Sequence, residues 1–467
     1  MRQRPLRNRI LRVLSAVVLL SALCLAAAGG ARAQSPVALA TLPNGLRVLT
    51  APSHAVGLVA IDLWVRAGAT RQPQGAYGIA HYLEHVLFKG TPTRPDESQI
   101  DGAIEDLGGS LNAATSFDWA HFYVVVPSAN FAPALAIMSD VIQHADISDK
   151  NVQSERPVIL SEVARQLDSP QEVLNAHLRE MVYGKGHPFA APVTGSPADV
   201  QAVTRDQILN FYKTYYAPNN VSLVVSGDVT PDQVQKEALK VFGTWMPATR
   251  LDPPPLPPTP AQTSIHRAIL RRSAPSSYLS IAFPAPSVKD RPDAWAMDVL
   301  LTLLGQGAGN RLERKLHNEL KLVDSISADY LTQANPGILT ITASFPSGNP
   351  DAVEKAIVAE VGRLRTEPVS ASDLDGAKQS LLASYLFDVQ TVSGRADALG
   401  FYEAIDTYEY DVDYIKRFEA VTPDDIRMLA NKYLTTDWYN IVTIVPFSDP
   451  SNAKLPAGAG VIRTASK

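Results

Sequence analysis

Cysteine is almost absent from this sequence, because Cys24 is the only one in 467 residues. It lies in an apolar run near the amino terminus, so the rest of the chain has no thiol for a disulfide or a cysteine metal site. Charge is also scarce, at 19% of residues, and a net charge of -5 provides no basic surface for nucleic acid. Nucleic-acid binding is therefore disfavoured, and stability must come from core packing, for which 46% apolar residues are adequate.

The amino terminus has the pattern of an export signal. Arginines precede an apolar run at 13–28, and Ala31-Arg32-Ala33 then has the small-x-small form that signal peptidase cleaves. We expect residues 1–33 to be removed before Gln34, which predicts a periplasmic or secreted bacterial protein. If the signal is not cleaved, it would instead anchor the chain in a membrane.

The rest of the sequence divides into two related halves. A stretch at 248–264 holds six prolines, which favour an extended linker. The segments AVTRDQI at 202–208 and AVTPDDI at 420–426 share five of seven residues at an offset of 218. We therefore predict an α+β fold of two homologous domains, 34–247 and 265–467. Each would be a mostly antiparallel sheet covered by helices, and an internal duplication would relate them.

The most informative short motif is HYLEH at 81–85. On a helix, His81 and His85 occupy one face at i and i+4, and Glu84 projects to the same side. The plain alternative is two hydrogen-bonded histidines beside a solvated glutamate. Apolar neighbours favour a buried helix, where an unpaired polar cluster would be costly. The pattern therefore predicts a metal site with an adjacent base.

A second helix, in SERPVILSEVARQLDSP, carries Glu155 and Glu162 seven residues apart, and therefore on one face. On helical grounds alone, both are more often ordinary surface carboxylates. Pro157 is unfavourable in a helix interior, so we expect this helix to begin near Ser154.

Four motifs in order resemble the pitrilysin-type zinc metallopeptidases. They are TLPNGLRV at 41–48, GIAHYLEHVLFKGT at 78–91, LGGSLNAATSFDWAHFY at 107–123 and SERPVILSEV at 154–163. The resemblance covers nearly the whole chain after the signal. It implies an enzyme that hydrolyses peptide bonds.

The resemblance also implies roles for particular residues. One zinc ion would be held by His81, His85 and Glu162, and Glu84 would be the general base. Glu155 would hydrogen-bond a zinc-ligating imidazole. In addition, Asn112 and Ala113 would lie on an edge strand where an extended peptide substrate docks. Zinc is preferred from the ligand types, although manganese or cobalt could substitute.

The carboxy-terminal half departs from the family. Active single-chain members carry an arginine and, seven residues later, a tyrosine that grip the substrate. In GNRLERKLHNELKLVDSISADY at 309–330, these positions hold His317 and Asp324. We expect a non-catalytic second domain and a heterodimer whose partner supplies the arginine and tyrosine. The alternatives are a homodimer that uses Tyr330 or Arg314, and a non-catalytic assembly or scaffold protein on the same fold.

Overall fold

A computed structural model describes residues 37–249, 251, 254–307, 309–346, 348–447 and the backbone of 460–462. The predicted signal at 1–33, with Cys24 and the cleavage position before Gln34, lies outside the described residues. The described residues from Ala38 onward pack as one compact unit. Among the helices that the structure describes, none is both long and apolar enough to cross a membrane.

The first half forms a six-stranded sheet in the order β1-β2-β6-β3-β5-β4. Its strands are β1 (Ala38–Thr41), β2 (Arg47–Pro52), β3 (Leu58–Val65), β4 (Ser110–Thr115), β5 (Ala120–Pro127) and β6 (Val221–Gly227). Its helices are α1 (Ile79–Leu87), α2 (Glu97–Glu105), α3 (Phe131–His144), α4 (Asp149–Asp168), α5 (Pro170–Tyr183), α6 (Pro197–Ala202), α7 (Arg205–Tyr215) and α8 (Pro231–Phe242). All pairings in this sheet are antiparallel except that of β2 with β6.

The second half forms another six-stranded sheet, in the order β12-β7-β11-β8-β10-β9. Its strands are β7 (His266–Arg272), β8 (Ser277–Ala285), β9 (Ser325–Tyr330), β10 (Gly337–Phe345), β11 (Asn440–Pro446) and β12 (Gly460–Ile462). Its helices are α9 (Arg291–Leu301), which continues into a π-helical turn, α10 (Pro350–Thr366), α11 (Ala371–Asp388), α12 (Val392–Ile405), α13 (Glu409–Glu419) and α14 (Pro423–Tyr433). The fold is therefore α+β with two sheets, as predicted.

The internal duplication is visible in strand register. Trp64 pairs with Ser222 in the first sheet, and Ala282 pairs with Asn440 in the second, so both members of the pair keep the offset of 218 found in the sequence. The helix starts repeat as well. Thr204 caps α7 and Thr422 caps α14, each through the same reciprocal side-chain and backbone bonds.

Each sheet is covered on one face by a helix from the other half. Helix α5 packs on β8 and β11, while α12 packs on β3 and β6. The first contact forms a separate apolar cluster that includes Leu174, Leu178, Leu270 and Val442. Because neither sheet is covered by its own half alone, we infer that the halves depend on each other for burial of apolar surface.

A buried ion-pair network holds α12 against the first sheet. Glu403 of α12 is fully shielded from solvent and accepts hydrogen bonds from Arg47 at 2.5 Å and from Arg66. The backbone carbonyl of Glu403 also accepts from Arg66 at 2.9 Å. Removing one partner of such a buried pair typically costs about 3–5 kcal/mol, because it leaves the other charge unpaired.

The start of α4 corrects one prediction. The helix begins at Asp149, not near Ser154, and Pro157 lies inside it. The Ser148 hydroxyl caps the true start by accepting from the backbone of Asn151. Pro157 and Gln153, whose carbonyl the proline leaves unpaired, are both exposed. Because water can satisfy that carbonyl, the helix tolerates the proline.

The proline-rich stretch carries no helix or strand among its described residues. It is not a free tether, because the Pro257 carbonyl lies 3.1 Å from Nε2 of His187 in the first half. Leu256 also packs against the apolar cluster beneath α5. The domain boundaries predicted from this stretch remain a proposal.

Candidate functional site

Helix α1 is held in place through contacts in its first half. Gly78 precedes it at φ 87°, in a left-handed conformation, and a Cβ at this position would lie 2.6 Å from the carbonyl oxygen of Thr194. The side chain of Gln72 accepts from the backbone of Ala80 at 3.1 Å, which satisfies a free N–H of the first turn. The Tyr82 hydroxyl donates to the carbonyl of Val152 at 2.5 Å and so joins α1 to α4.

This packing brings the three predicted ligands together. Nε2 of His81 and Nε2 of His85 lie 3.5 Å and 3.6 Å from the same oxygen, Oε2 of Glu162. These ligand atoms all lie within 4.8 Å of one another. His81 is buried, whereas His85 and Glu162 are half-buried.

The spacing suits a metal ion better than direct hydrogen bonds. Both nitrogen–oxygen distances exceed ordinary hydrogen-bond lengths. Four ligands at about 2.1 Å in a tetrahedron are separated from one another by about 3.4 Å. The donor set therefore fits a single zinc ion.

Glu155 lies behind His85, on the side away from Glu162. Its carboxylate is 3.1 Å from Nδ1 of His85 and 2.8 Å from the Lys89 amine. Contact with Nδ1 leaves Nε2 of His85 facing Glu162. The Lys89 amine, which is also 2.5 Å from Glu97, balances the charge of the buried Glu155.

The two imidazoles have opposite electrostatic environments. Burial lowers the pKa of His81 to about 4, against the attraction of Glu162, so the ring is neutral at ordinary pH. Burial also acts to lower the pKa of His85, but the neighbouring carboxylates of Glu155 and Glu162 outweigh it and raise this pKa to about 9. In the absence of a cation, the carboxylates therefore retain a proton on His85. A bound metal ion would replace that proton.

Glu84 lies beside the ligands without being one of them. The Thr115 hydroxyl at the end of β4 donates to its Oε2. Burial raises the pKa of Glu84, while the bond from Thr115 and the nearby His85 act in the opposite direction. Because its pKa is raised, the Glu84 carboxylate can accept a proton from a molecule bound beside His81, His85 and Glu162 and later return it.

The predicted substrate-binding residues flank the same site. Asn112 and Ala113 lie on β4, which is the edge strand of the first sheet. Residues of this strand and of α1 line a cleft of about 230 Å³, among them Asn112, Ala113, Glu84 and His85. An extended chain in this cleft would lie beside an unpaired strand edge.

Two further residues, Lys89 and Thr115, contribute to the candidate metal site but were not predicted from the sequence. Lys89 follows His85 by four residues, so helical spacing alone could have placed it on the ligand face. Thr115 lies two residues beyond Ala113, and strand alternation places both on one face of β4. Neither residue type signals a metal site by itself.

His317 and Asp324, the positions at which the sequence resemblance leads us to expect an arginine and a tyrosine, are both exposed. Of the two possible substitutes, Tyr330 donates its hydroxyl to the Pro286 carbonyl at 2.9 Å, and Arg314 lies 3.7 Å from Asp373. Both substitutes already have partners within this chain.

Two related α+β halves, the first of which carries an H-x-x-E-H helix facing a glutamate-bearing helix, have the arrangement of a two-domain metallopeptidase fold. Comparison with family models agrees with this class. Residues 47–193 match the model described as insulinase (peptidase family M16), and residues 202–381 match the model described as peptidase M16 inactive domain. This chain belongs to the insulinase family, peptidase family M16.

Proteins with similar sequences are named as peptidases or proteases. The chain is 28% identical over 427 residues to a probable mitochondrial-processing peptidase subunit beta of Arabidopsis thaliana, covering 88% of this chain and 78% of the relative. It is 26% identical over 399 residues to an uncharacterized zinc protease of Rickettsia felis, covering 85% of this chain and 95% of the relative.

Solved structures share the fold. A protease from Helicobacter pylori superposes with a TM-score of 0.82 at 24% identity, covering 88% of this chain and 100% of that one. A solved peptidase M16 inactive domain from Pseudomonas fluorescens has a TM-score of 0.80 at 21% identity and covers 88% of this chain and 99% of that one. At these identities, the likeness supports the fold alone.

Proposed function

We propose that this protein is an exported zinc-dependent endopeptidase. The observation that carries the proposal is the approach of two imidazole Nε2 atoms to one oxygen of Glu162 at 3.5 Å and 3.6 Å, with Glu84 beside them. The names of the relatives support zinc and proteolysis, and the open edge strand suits an extended peptide.

His81, His85 and Glu162 would hold the ion, which when bound supplies Lewis-acid activation of water and of the scissile carbonyl. Glu84 accepts a proton from water as the water oxygen attacks the carbonyl carbon. The carbon–nitrogen bond then breaks, and Glu84 returns the proton to the leaving amine. Thr115 holds the Glu84 carboxylate in place, while Glu155 and Lys89 orient His85. Asn112 and Ala113 would present the strand edge that aligns the peptide.

The direct test combines two measurements on the purified chain. Elemental analysis should find one zinc per chain, and a fluorogenic peptide should be hydrolysed in the presence of the partner described below. A chain that binds no zinc at micromolar concentrations would overturn the proposal. A zinc-loaded chain that remains inactive with its partner would support the scaffold alternative.

We further propose that the active form is a heterodimer. The exposed His317 and Asp324 replace the arginine and tyrosine of the family, and a clamp on the transition state is difficult to omit without loss of rate. The Arabidopsis relative is named as a subunit, which supports a two-chain enzyme. The internal partners of Tyr330 and Arg314 count against the homodimer alternative.

Coexpression tests the heterodimer. The partner to seek is a homologous chain that has the arginine and tyrosine but no H-x-x-E-H. We expect activity only from the mixture, with zinc bound to the present chain. Full activity of this chain purified alone would contradict the heterodimer while leaving the metal site intact.

Export rests on the amino-terminal pattern, which we interpret as a cleaved signal for a periplasmic or secreted protein. Amino-terminal sequencing of the protein from its native host should begin at Gln34. A retained Met1 would contradict cleavage and favour membrane anchoring.

A further inference from the structure

Arg179 is a partly buried cation without a counter-charge. It lies on α5, its Nε atom is shielded from solvent, and its guanidinium has no hydrogen bond or ion pair in the part of the chain that the structure describes. Its one specific contact is with the Phe117 ring, whose centroid is 5.6 Å from Cζ. Burial lowers the pKa of Arg179, against the distant attraction of Glu172 and Tyr183.

An unpaired charge in such a position is costly and is uncommon unless a partner completes it. Two other shielded arginines in this fold have acidic partners. Arg395 pairs with Asp411, and Arg66 pairs with Glu403. Arg179 has no such partner among the described residues and also borders a cleft, so an anion from outside the chain would complete it.

Arg179 borders a cleft of about 160 Å³ between α5 and the β9–β10 hairpin. Most of the lining is apolar or aromatic and includes Phe117, Leu178, Leu331 and Ile338. The one carboxylate in the lining, that of Asp329, accepts from the Ser327 hydroxyl at 3.1 Å and forms no ion pair with Arg179. A cation beside mostly apolar walls suits a ligand with one carboxylate and a short hydrocarbon group.

We propose that this cleft binds such a carboxylate, with its oxygens on the Arg179 guanidinium and its hydrocarbon group against Phe117 and Ile338. The ligand could be a free short-chain acid or the carboxy-terminal residue of a peptide, since both present the same chemistry. The site does not include the zinc ligands and does not depend on the proposed peptidase function.

The ligand chemistry can be tested on the unmodified full chain by thermal denaturation and calorimetry. The probes are isovalerate, N-acetyl-leucine and N-acetyl-leucine amide at millimolar concentrations. We expect both acids to raise the melting temperature and the amide to have no effect. Stronger binding of N-acetyl-leucine than of isovalerate identifies a peptide terminus, and the reverse order identifies a free acid. Equal responses to acid and amide, or no response to either acid, would overturn the proposal.

Substitutions at Arg179 test whether its guanidinium binds the acids. Arg179→Met keeps the length of the side chain and should weaken binding of the acids at least about tenfold, whereas Arg179→Lys should retain part of it. The matched control is Arg417→Met, because Arg417 also stacks on an aromatic ring, that of Trp295 at 5.3 Å, but has Asp413 as a partner at 3.0 Å. The control should bind the acids like the unmodified chain. Binding by Arg179→Met within about twofold of the unmodified chain would rule out Arg179 as the anion site.

Discussion

His81 on α1 and Glu162 on α4 face each other with 3.5 Å between Nε2 and Oε2, although they are far apart in the chain. This separation is too long for a good hydrogen bond and close to the spacing of two ligands on one ion. The carboxylate also faces His85, so it completes a three-point site that neither helix could form alone.

The first prediction concerns Glu162→Gln. The amide keeps the volume of the side chain but removes the negative charge that favours a cation, so zinc affinity should fall by more than about 100-fold. Zinc content after dialysis, measured by elemental analysis, checks this. Glu172→Gln, an exposed change on the next helix, should keep full zinc content. Unchanged stoichiometry in Glu162→Gln would place the ligand elsewhere.

The second prediction separates binding from proton transfer. Glu84→Gln should retain zinc and lose hydrolysis by about 100-fold to 10,000-fold, because the amide cannot accept a proton from water. Peptide turnover and zinc content, measured on the same sample, check this. Glu105→Gln, an exposed change on α2, serves as the control and should keep both. Substantial turnover by Glu84→Gln would remove Glu84 from the role of base.

The parts of the site that follow helical spacing could be predicted from sequence. The i, i+4 histidines and the two glutamates seven residues apart are local patterns, and the fold places both sets on facing helices. The sequence alone misplaces the start of α4, because the cost of Pro157 inside a helix depends on exposure that the sequence does not show.

Long-range partners could not be predicted in this way. Glu403 meets Arg47 across 356 positions and Arg66 across 337, and although Arg47 lies in the motif at 41–48, nothing in that motif indicates Glu403 as its partner. The unpaired Arg179 is equally invisible, because the lack of a partner is a property of packing and leaves no trace in the local sequence. The repeat at an offset of 218 predicted two similar halves but not that each would cover the sheet of the other.

The third prediction concerns backbone strain. Lys321 has a φ of 52°, the one positive value at a non-glycine position in the described chain. Lys321→Gly should raise the free energy of unfolding by roughly 0.5–1 kcal/mol, because glycine adopts this conformation without a Cβ clash. Chemical denaturation checks this. Lys321→Ala keeps the Cβ and should give no comparable gain, and equal stabilisation by both variants would point to the lysine side chain instead.

The fourth prediction concerns pH. Burial raises the pKa of Asp298 to about 7, partly offset by the Tyr414 hydroxyl, which donates to it at 2.8 Å. Tyr330, Tyr402 and Tyr410 also face this carboxyl. Because the folded state holds the proton more tightly than the unfolded state, the contribution of Asp298 to stability is present below pH 4. It is lost as pH rises through about 7.

Asp298→Asn should remove this dependence, since the amide stays neutral and can still accept from Tyr414. The difference in unfolding free energy between the variant and the unmodified chain should shift in favour of the variant as pH rises from 4 to 8. Denaturant titrations at several pH values measure it. A difference that does not change with pH would show that Asp298 is not the titrating group.

The last prediction tests the packing of α12 on the first sheet. Gly400 lies so close to the Trp64 indole that a Cβ at this position would overlap the ring, and Trp64 is itself buried. Gly400→Ala should therefore destabilise the chain by about 1–3 kcal/mol, because the indole or the helix must move. Gly376→Ala on α11 is the matched control, since a Cβ there meets nothing within 4 Å. Alanine favours a helix more than glycine does, so the control should gain up to about 1 kcal/mol. If both variants were stabilised, α12 would not pack closely on Trp64 in solution. The two halves would then be joined less tightly than this contact indicates.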